Sequence, residues 1–150
     1  MKWLKRFGIV LLIVLAGIQF IPSGSNQSSE VPSTDFVKAF NINEDIAQTL
    51  SNSCYDCHSN HTNYPWYNRV QPISLLLENH IEKAKEELNF SEFASYSTRK
   101  QKIKLKSIIS QIEKDEMPLA SYTIIHRNAR LSKEKKEALI DYLNSIRRSL

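Results

Sequence analysis

Apolar residues recur along most of this chain at helical spacing, and only near its beginning do they run together. Phe7 to Ile21 (FGIVLLIVLAGIQFI) is apolar apart from Gln19, behind a start that carries Lys2, Lys5 and Arg6. From Pro22 to Thr34 (PSGSNQSSEVPST) serine and proline take over and no period survives, the composition of a flexible linker. Beyond it the stripes return. Asn43, followed by Glu44 and Asp45, reads as an N-cap opening a short helix through Leu50. Pro72 stands at another helix start, and Ile73, Leu76, Leu77, His80, Ile81, Ala84 and Leu88 then fall on one face. Ser91 is placed to cap a short turn carrying Phe93, and Thr98 with Gln101 forms a capping box. Leu105, Ile108, Ile109 and Ile112 supply the stripe of the helix that follows. Ser132 caps the last helix, striped by Ala138, Leu139, Tyr142, Leu143 and Ile146. No stretch alternates apolar and polar long enough for a strand, so the predicted fold is all-α.

These patterns divide the chain into residues 1–21, 22–34 and 35–150. A basic start followed by an apolar run marks export across a membrane. Trp3 and Leu4 extend that run toward the roughly 20 residues a membrane span needs, with the basic side chains snorkelling to the inner face. Ser23-Gly24-Ser25 offers a weak cleavage point and no A-x-A site is present. The expectation is therefore an uncleaved signal-anchor, single-pass in the inner membrane, with residues 35–150 as a periplasmic domain. Charge modifies one point. The formal net charge is +4, but three of the positive groups precede the apolar run, so the remainder is nearly neutral and nucleic-acid binding loses its support. Lys100, Lys102, Lys104 and Lys106 form a local basic run, read as a solvated helix face, with docking of an acidic redox partner as the sharper alternative.

The candidate chemistry lies in Cys54-Tyr55-Asp56-Cys57-His58. C-x-x-C-H is the attachment signature of a c-type haem: two thiols can form thioethers with the two vinyl groups of one porphyrin, and the adjacent imidazole is held under the iron. The chain has no other cysteine. Zinc held by Cys54, Cys57 and His61 lacks a second ligand pair at suitable spacing, and a thioredoxin-like dithiol would need a βαβ unit.

A six-coordinate iron needs a second axial ligand. Met117, before Pro118 at a predicted helix end, is the one methionine of the folded part, and a thioether ligand raises the reduction potential. His80, on an otherwise apolar stripe, is the alternative distal ligand; His61 lies too near His58 in sequence to reach the other face, and His126 suits propionate contact or exposure better. Tyr64 and Trp66, in Asn63-Tyr64-Pro65-Trp66-Tyr67, are expected to cover the porphyrin edge and exclude water. Arg69, Arg127 and Arg130 are candidates to pair with the haem propionates.

The helix before C-x-x-C-H, the later Met-Pro turn and the final helix resemble the plan of a class I cytochrome c. More closely, S-C-Y-D-C-H-S-N, Y-P-W-Y, L-N-F-S-E-F, E-M-P and Y-T-I-I-H resemble the small haem-binding domain family of Bacteroidota, over about residues 36 to 148. The long helix from Ile73 to Leu88 departs from the cytochrome c plan. The resemblance implies one covalent haem c at Cys54 and Cys57 with His58 as proximal ligand. It leaves the sixth ligand, the redox partner and the oligomeric state open. The function expected is a membrane-tethered monohaem electron carrier rather than an enzyme. The alternatives are a peroxidase-like haem with an open distal site, or a haem-based redox or gas sensor in which Met117 is displaced.

Overall fold

The computed structural model describes residues 2–22 and 24–150; Met1 and Ser23, and with Ser23 the suggested cleavage point, lie outside the described residues. The described chain is helical, with no strand and a single bridge between Gln27 and His61. Helix α1 covers Lys2–Ile18. Two short helices follow, α2 (Phe36–Ala39) and α3 (Glu44–Leu50), and α3 runs through a π-helical turn, Ser51–Tyr55, into α4 (Asp56–His58). A 3₁₀ turn at Trp66–Arg69 leads to α5 (Ile73–Glu87), and another at Phe90–Ser95 to α6 (Thr98–Glu113). α7 (Ala120–Ile125), a 3₁₀ turn at Arg127–Ala129 and α8 (Lys133–Ser149) complete the order.

The expected membrane helix is corrected here. No helix among the described residues is long and apolar enough to cross a membrane. α1 has 17 residues, and its first turns carry Lys2, Lys5 and Arg6. The apolar part, from Phe7 to Ile18, rises only about 18 Å at about 1.5 Å per residue, against a hydrocarbon core of about 30 Å. The apolar run continues to Ile21 but the helix does not. Gln19 turns its amide back to the Leu15 carbonyl (2.9 Å) and across to the Gln71 carbonyl (3.1 Å). The single-pass inner-membrane location falls with the membrane helix.

The linker composition of residues 22–34 conceals a docked stretch. Ser28 donates its backbone N–H to Asn60 O (2.8 Å), and Asn26 O accepts from Thr62 N (2.8 Å). The Asn26 side chain donates to Ser59 O and accepts from Lys85 Nζ (2.6 Å). Residues 26–28 thus lie against the loop that follows C-x-x-C-H. Backbone groups and polar side chains make this contact, and an apolar period cannot report it.

The core forms where the stripes meet. Leu105, Ile109 and Ile112 of α6 pack with Leu139, Leu143 and Ile146 of α8, together with Leu50, Phe36, Phe90 and Phe93. Phe36 meets Phe93 edge-on, with ring centroids 4.7 Å apart, and such aromatic pairs add to what their burial contributes. Asn43 caps α3 as expected, accepting from Ile46 N (3.0 Å), and Ser132 caps α8, accepting from Lys135 N (3.3 Å). The cap of α6 is Ser97, one residue earlier than the pattern indicated. Gln101 turns inward instead and donates to the Tyr96 carbonyl (2.9 Å). α5 departs most from its stripe: Ile81 and Leu88 are buried, while Ile73, Leu76 and His80 are exposed. Its first half leaves Ile73, Leu75 and Leu76 exposed instead of carrying them into the core.

Candidate functional site

Cys54 lies in the π-helical turn between α3 and α4, while Cys57 and His58 close α4. A π turn admits one extra residue per turn, and such insertions recur at functional sites. The core holds this turn from below. Tyr55 stacks on Phe90 with centroids 5.1 Å apart, and Phe90 meets His58 edge-on at 6.4 Å. Tyr55 and Cys54 both pack against the core, which fixes the turn that presents Cys54, Cys57 and His58.

They face a cavity. A volume of about 340 Å³ is bounded by Cys54, His58, Leu88, Ile108, Met117 and Leu131, among others. A second, about 60 Å³, adjoins it and is lined by Cys54, Cys57, His58, His80, Met117 and Tyr122, among others. Cys54, His58 and Met117 belong to both. The two thiols are not joined as a disulfide. Burial raises both, Cys54 to about 12 with Cys57 adding to the effect, and Cys57 to about 11 with the Asp56 carboxylate adding to it. They are neutral thiols at physiological pH.

His58 is held in one state. Its Nδ1 sits 2.9 Å from Ala84 O and 3.1 Å from Leu88 O, both at the end of α5. Carbonyls only accept, so Nδ1 carries the hydrogen and Nε2 is left with its lone pair. Burial lowers the pKa of His58 against the opposing pull of the Leu88 and Ala84 carbonyls. A neutral imidazole with one nitrogen pinned to backbone oxygen is the form that binds a metal ion.

Met117 reaches the cavity because α6 ends sharply. Asp115 adopts a left-handed conformation (φ 58°), and Glu116 N returns to Gln111 O (2.9 Å) while Asp115 N reaches Ile112 O (3.2 Å). This Schellman-type closure folds the chain back over the last turn. Lys136 of α8 pairs with Asp115 and holds the turn. The loop continues into α7, whose Tyr122 donates its hydroxyl to Asp56 Oδ2 (2.6 Å). Burial and the bond to Asp56 raise the Tyr122 pKa, so it remains a donor. Asn63 donates to the other oxygen of Asp56 from its backbone and its side chain. Tyr67 OH lies 2.8 Å from His126 Nε2, and His126 stacks on Tyr122. The loop carrying Met117 is therefore tied to Asp56, one of the two residues between the cysteines.

Of the residues anticipated, Cys54, Cys57, His58 and Met117 come together. His80 reaches only the smaller cavity, from an exposed position. Tyr64 and Trp66 line neither volume. The Tyr64 hydroxyl accepts from Asn26 N (2.8 Å) and donates to Glu78 Oε2 (3.0 Å), and Trp66 is 80 % exposed. Arg69, Arg127 and Arg130 are likewise absent from the lining. His61 turns away, its Nδ1 donating to Ser28 O (2.9 Å), and among the described residues no group of three or more His, Cys, Asp or Glu side chains converges on a metal position. Lys104, expected on a solvated face, lines the larger cavity with Ser107 and Gln111, neither of which was anticipated. Their signal was present: with Ile108 they stand at i, i+3, i+4 and i+7 on α6, a stripe beside the core one.

The residues fit a covalently held haem by their chemistry: two neutral thiols, an imidazole with a free lone pair, and a thioether on one largely apolar hollow. A family model described as a haem-binding domain matches residues 13–145. The match includes the docked stretch around Asn26. No curated protein and no solved structure matches the chain.

Proposed function

The chain belongs to the haem-binding domain family, and on that footing we propose that it holds one haem c covalently and serves as a one-electron carrier. When bound, the haem supplies an iron that cycles between the ferrous and ferric states. Cys54 and Cys57 would hold the porphyrin through thioethers, and His58 would hold the iron from Nε2. The carbonyls of Ala84 and Leu88 fix the imidazole in orientation and tautomer and make it a better donor. Met117 would supply a thioether to the iron, a donor that favours the reduced state. Leu88, Phe90 and Ile112 keep water from the hollow, which favours the state of lower charge. The apolar stretch of α1 has the length of the central region of an export signal, in keeping with haem attachment outside the cytoplasmic membrane.

One observation carries this reading: His58, with Nδ1 fixed by two backbone carbonyls, shares its cavity with both thiols and with the only methionine of the folded region. The experiment is expression in a host that matures c-type haem. The pigment should stay with the polypeptide through acid–acetone extraction and be lost in a Cys54→Ser/Cys57→Ser variant. The reduced protein should be low-spin, and Met117→Ala should abolish the sulfur-to-ferric-iron band and give a high-spin iron. A colourless product, or a high-spin unaltered protein, would defeat the proposal.

A further inference from the structure

A haem carries two carboxylates, and one drawn out of water against the protein is stabilised by a cation or by hydrogen-bond donors. Among the described residues, Lys104 is the only lysine or arginine lining either volume. Lys100, Lys102 and Lys106 are exposed, whereas the Lys104 side chain retains 21 % of its accessible surface. It shares the α6 face with Ser107, Ile108 and Gln111, so ammonium, hydroxyl, carbon and amide stand in one row along the cavity wall. Its present partner is a weak competitor: Glu87 Oε2 lies 3.8 Å away on a side chain 86 % exposed, where an ion pair contributes little. The four lysines look equivalent in sequence. Helical geometry separates one of them, because four residues on from Lys104 comes Ile108, half-buried against the cavity.

Resting on the haem reading above, we infer that Lys104 is the cation that binds a haem propionate, with Ser107 and Gln111 as neutral donors beside it. The arginines suggested by sequence have no such place. Pairing Lys104 with the carboxylate offsets a negative charge that would otherwise stabilise ferric iron. The test is the reduction potential of the purified holoprotein, together with pigment retention after acid–acetone extraction. K104Q should keep its pigment and shift the potential negative; K104R should restore it; K102Q, on the exposed face of the same helix, should leave it unchanged. A shift in K102Q as large as in K104Q, or none in K104Q, would overturn the inference. Loss of pigment in the unaltered protein would instead defeat the haem reading itself. Should K104Q fail to fold, zero-length carbodiimide coupling of the unaltered holoprotein decides. An amide between Lys104 and the haem carboxylate, formed with loss of water, supports the pairing, and coupling of Lys104 to Glu87 alone refutes it.

Discussion

The two walls around the C-x-x-C-H turn are built from different materials. On one side stand Phe36, Phe90, Phe93, Leu105 and Leu139, each at most 1 % exposed and joined by dispersion and by exclusion of water. On the other, Tyr122, Asp56, Asn63, Tyr67 and His126 are joined by hydrogen bonds between half-buried or exposed groups. The apolar wall places the turn that carries the cysteines and His58. The polar wall places the loop that carries Met117. Of the two ligands proposed, His58 therefore stands on the rigid part of the molecule and Met117 on a part held by a few directional bonds, which open locally at lower cost.

The largest expected effect breaks the first wall. Phe93→Ala removes a fully buried ring in contact with Phe36 and Phe40, which should cost about 3–5 kcal/mol in urea unfolding of the apoprotein. Trp66→Ala, at an exposed ring of equal interest to the sequence reading, should change stability by no more than about 0.5 kcal/mol. Equal losses in the two variants would show that the aromatic segment after the motif belongs to the core.

A smaller effect should follow from the second wall. Tyr122→Phe removes the hydroxyl that donates to Asp56 (2.6 Å); because both groups are only half-buried, the cost should be about 1 kcal/mol. Its signature is location. Amide hydrogen exchange should quicken in α7 and around Met117 while α8 keeps its protection. Equal acceleration in α8 would mean that the two walls unfold as one and that the comparison is false.

The difference in material also explains what the sequence made legible. Leu105, Ile109 and Ile112 and the stripe Leu139, Leu143 and Ile146 were readable because burial imposes the helical period on residue choice. That Cys54, Cys57, His58 and Met117 meet at one hollow was legible because C-x-x-C-H is a pattern of fixed types and spacing and the folded part offers no other thioether. The partners of Asp56 were not, since a hydrogen bond between residues 56 and 122 leaves no period behind. The same holds for Asn26, whose stretch has the composition of a tether. Lys104 was hidden by its neighbours: a run of alternate lysines suggests one solvated face, although alternate positions on a helix point to different sides. The apolar run near the beginning misled in the opposite way. Its composition reads as a span, but Gln19 turns the chain after Ile18.

The seam between the walls offers the smallest test and the clearest sign. Asp35 is buried, caps α2 by accepting from Val37 N (3.0 Å) and Lys38 N (3.3 Å), and accepts from the Tyr55 hydroxyl (3.2 Å) in the motif turn. These bonds favour the carboxylate, yet burial outweighs them and raises the Asp35 pKa. A folded-state pKa above the unfolded one means the folded chain binds the proton more tightly, so the contribution of this group to stability is greatest below the ordinary carboxyl range. It is lost as pH rises through the raised value. D35N keeps an acceptor oxygen and does not titrate. Between pH 6 and pH 4, the stability of the unaltered protein relative to D35N should therefore rise. A fall over the same interval would mean that the caps and Tyr55 dominate, and that the junction of core and motif is an ionised hydrogen-bond centre instead of a group the apolar wall has forced toward neutrality.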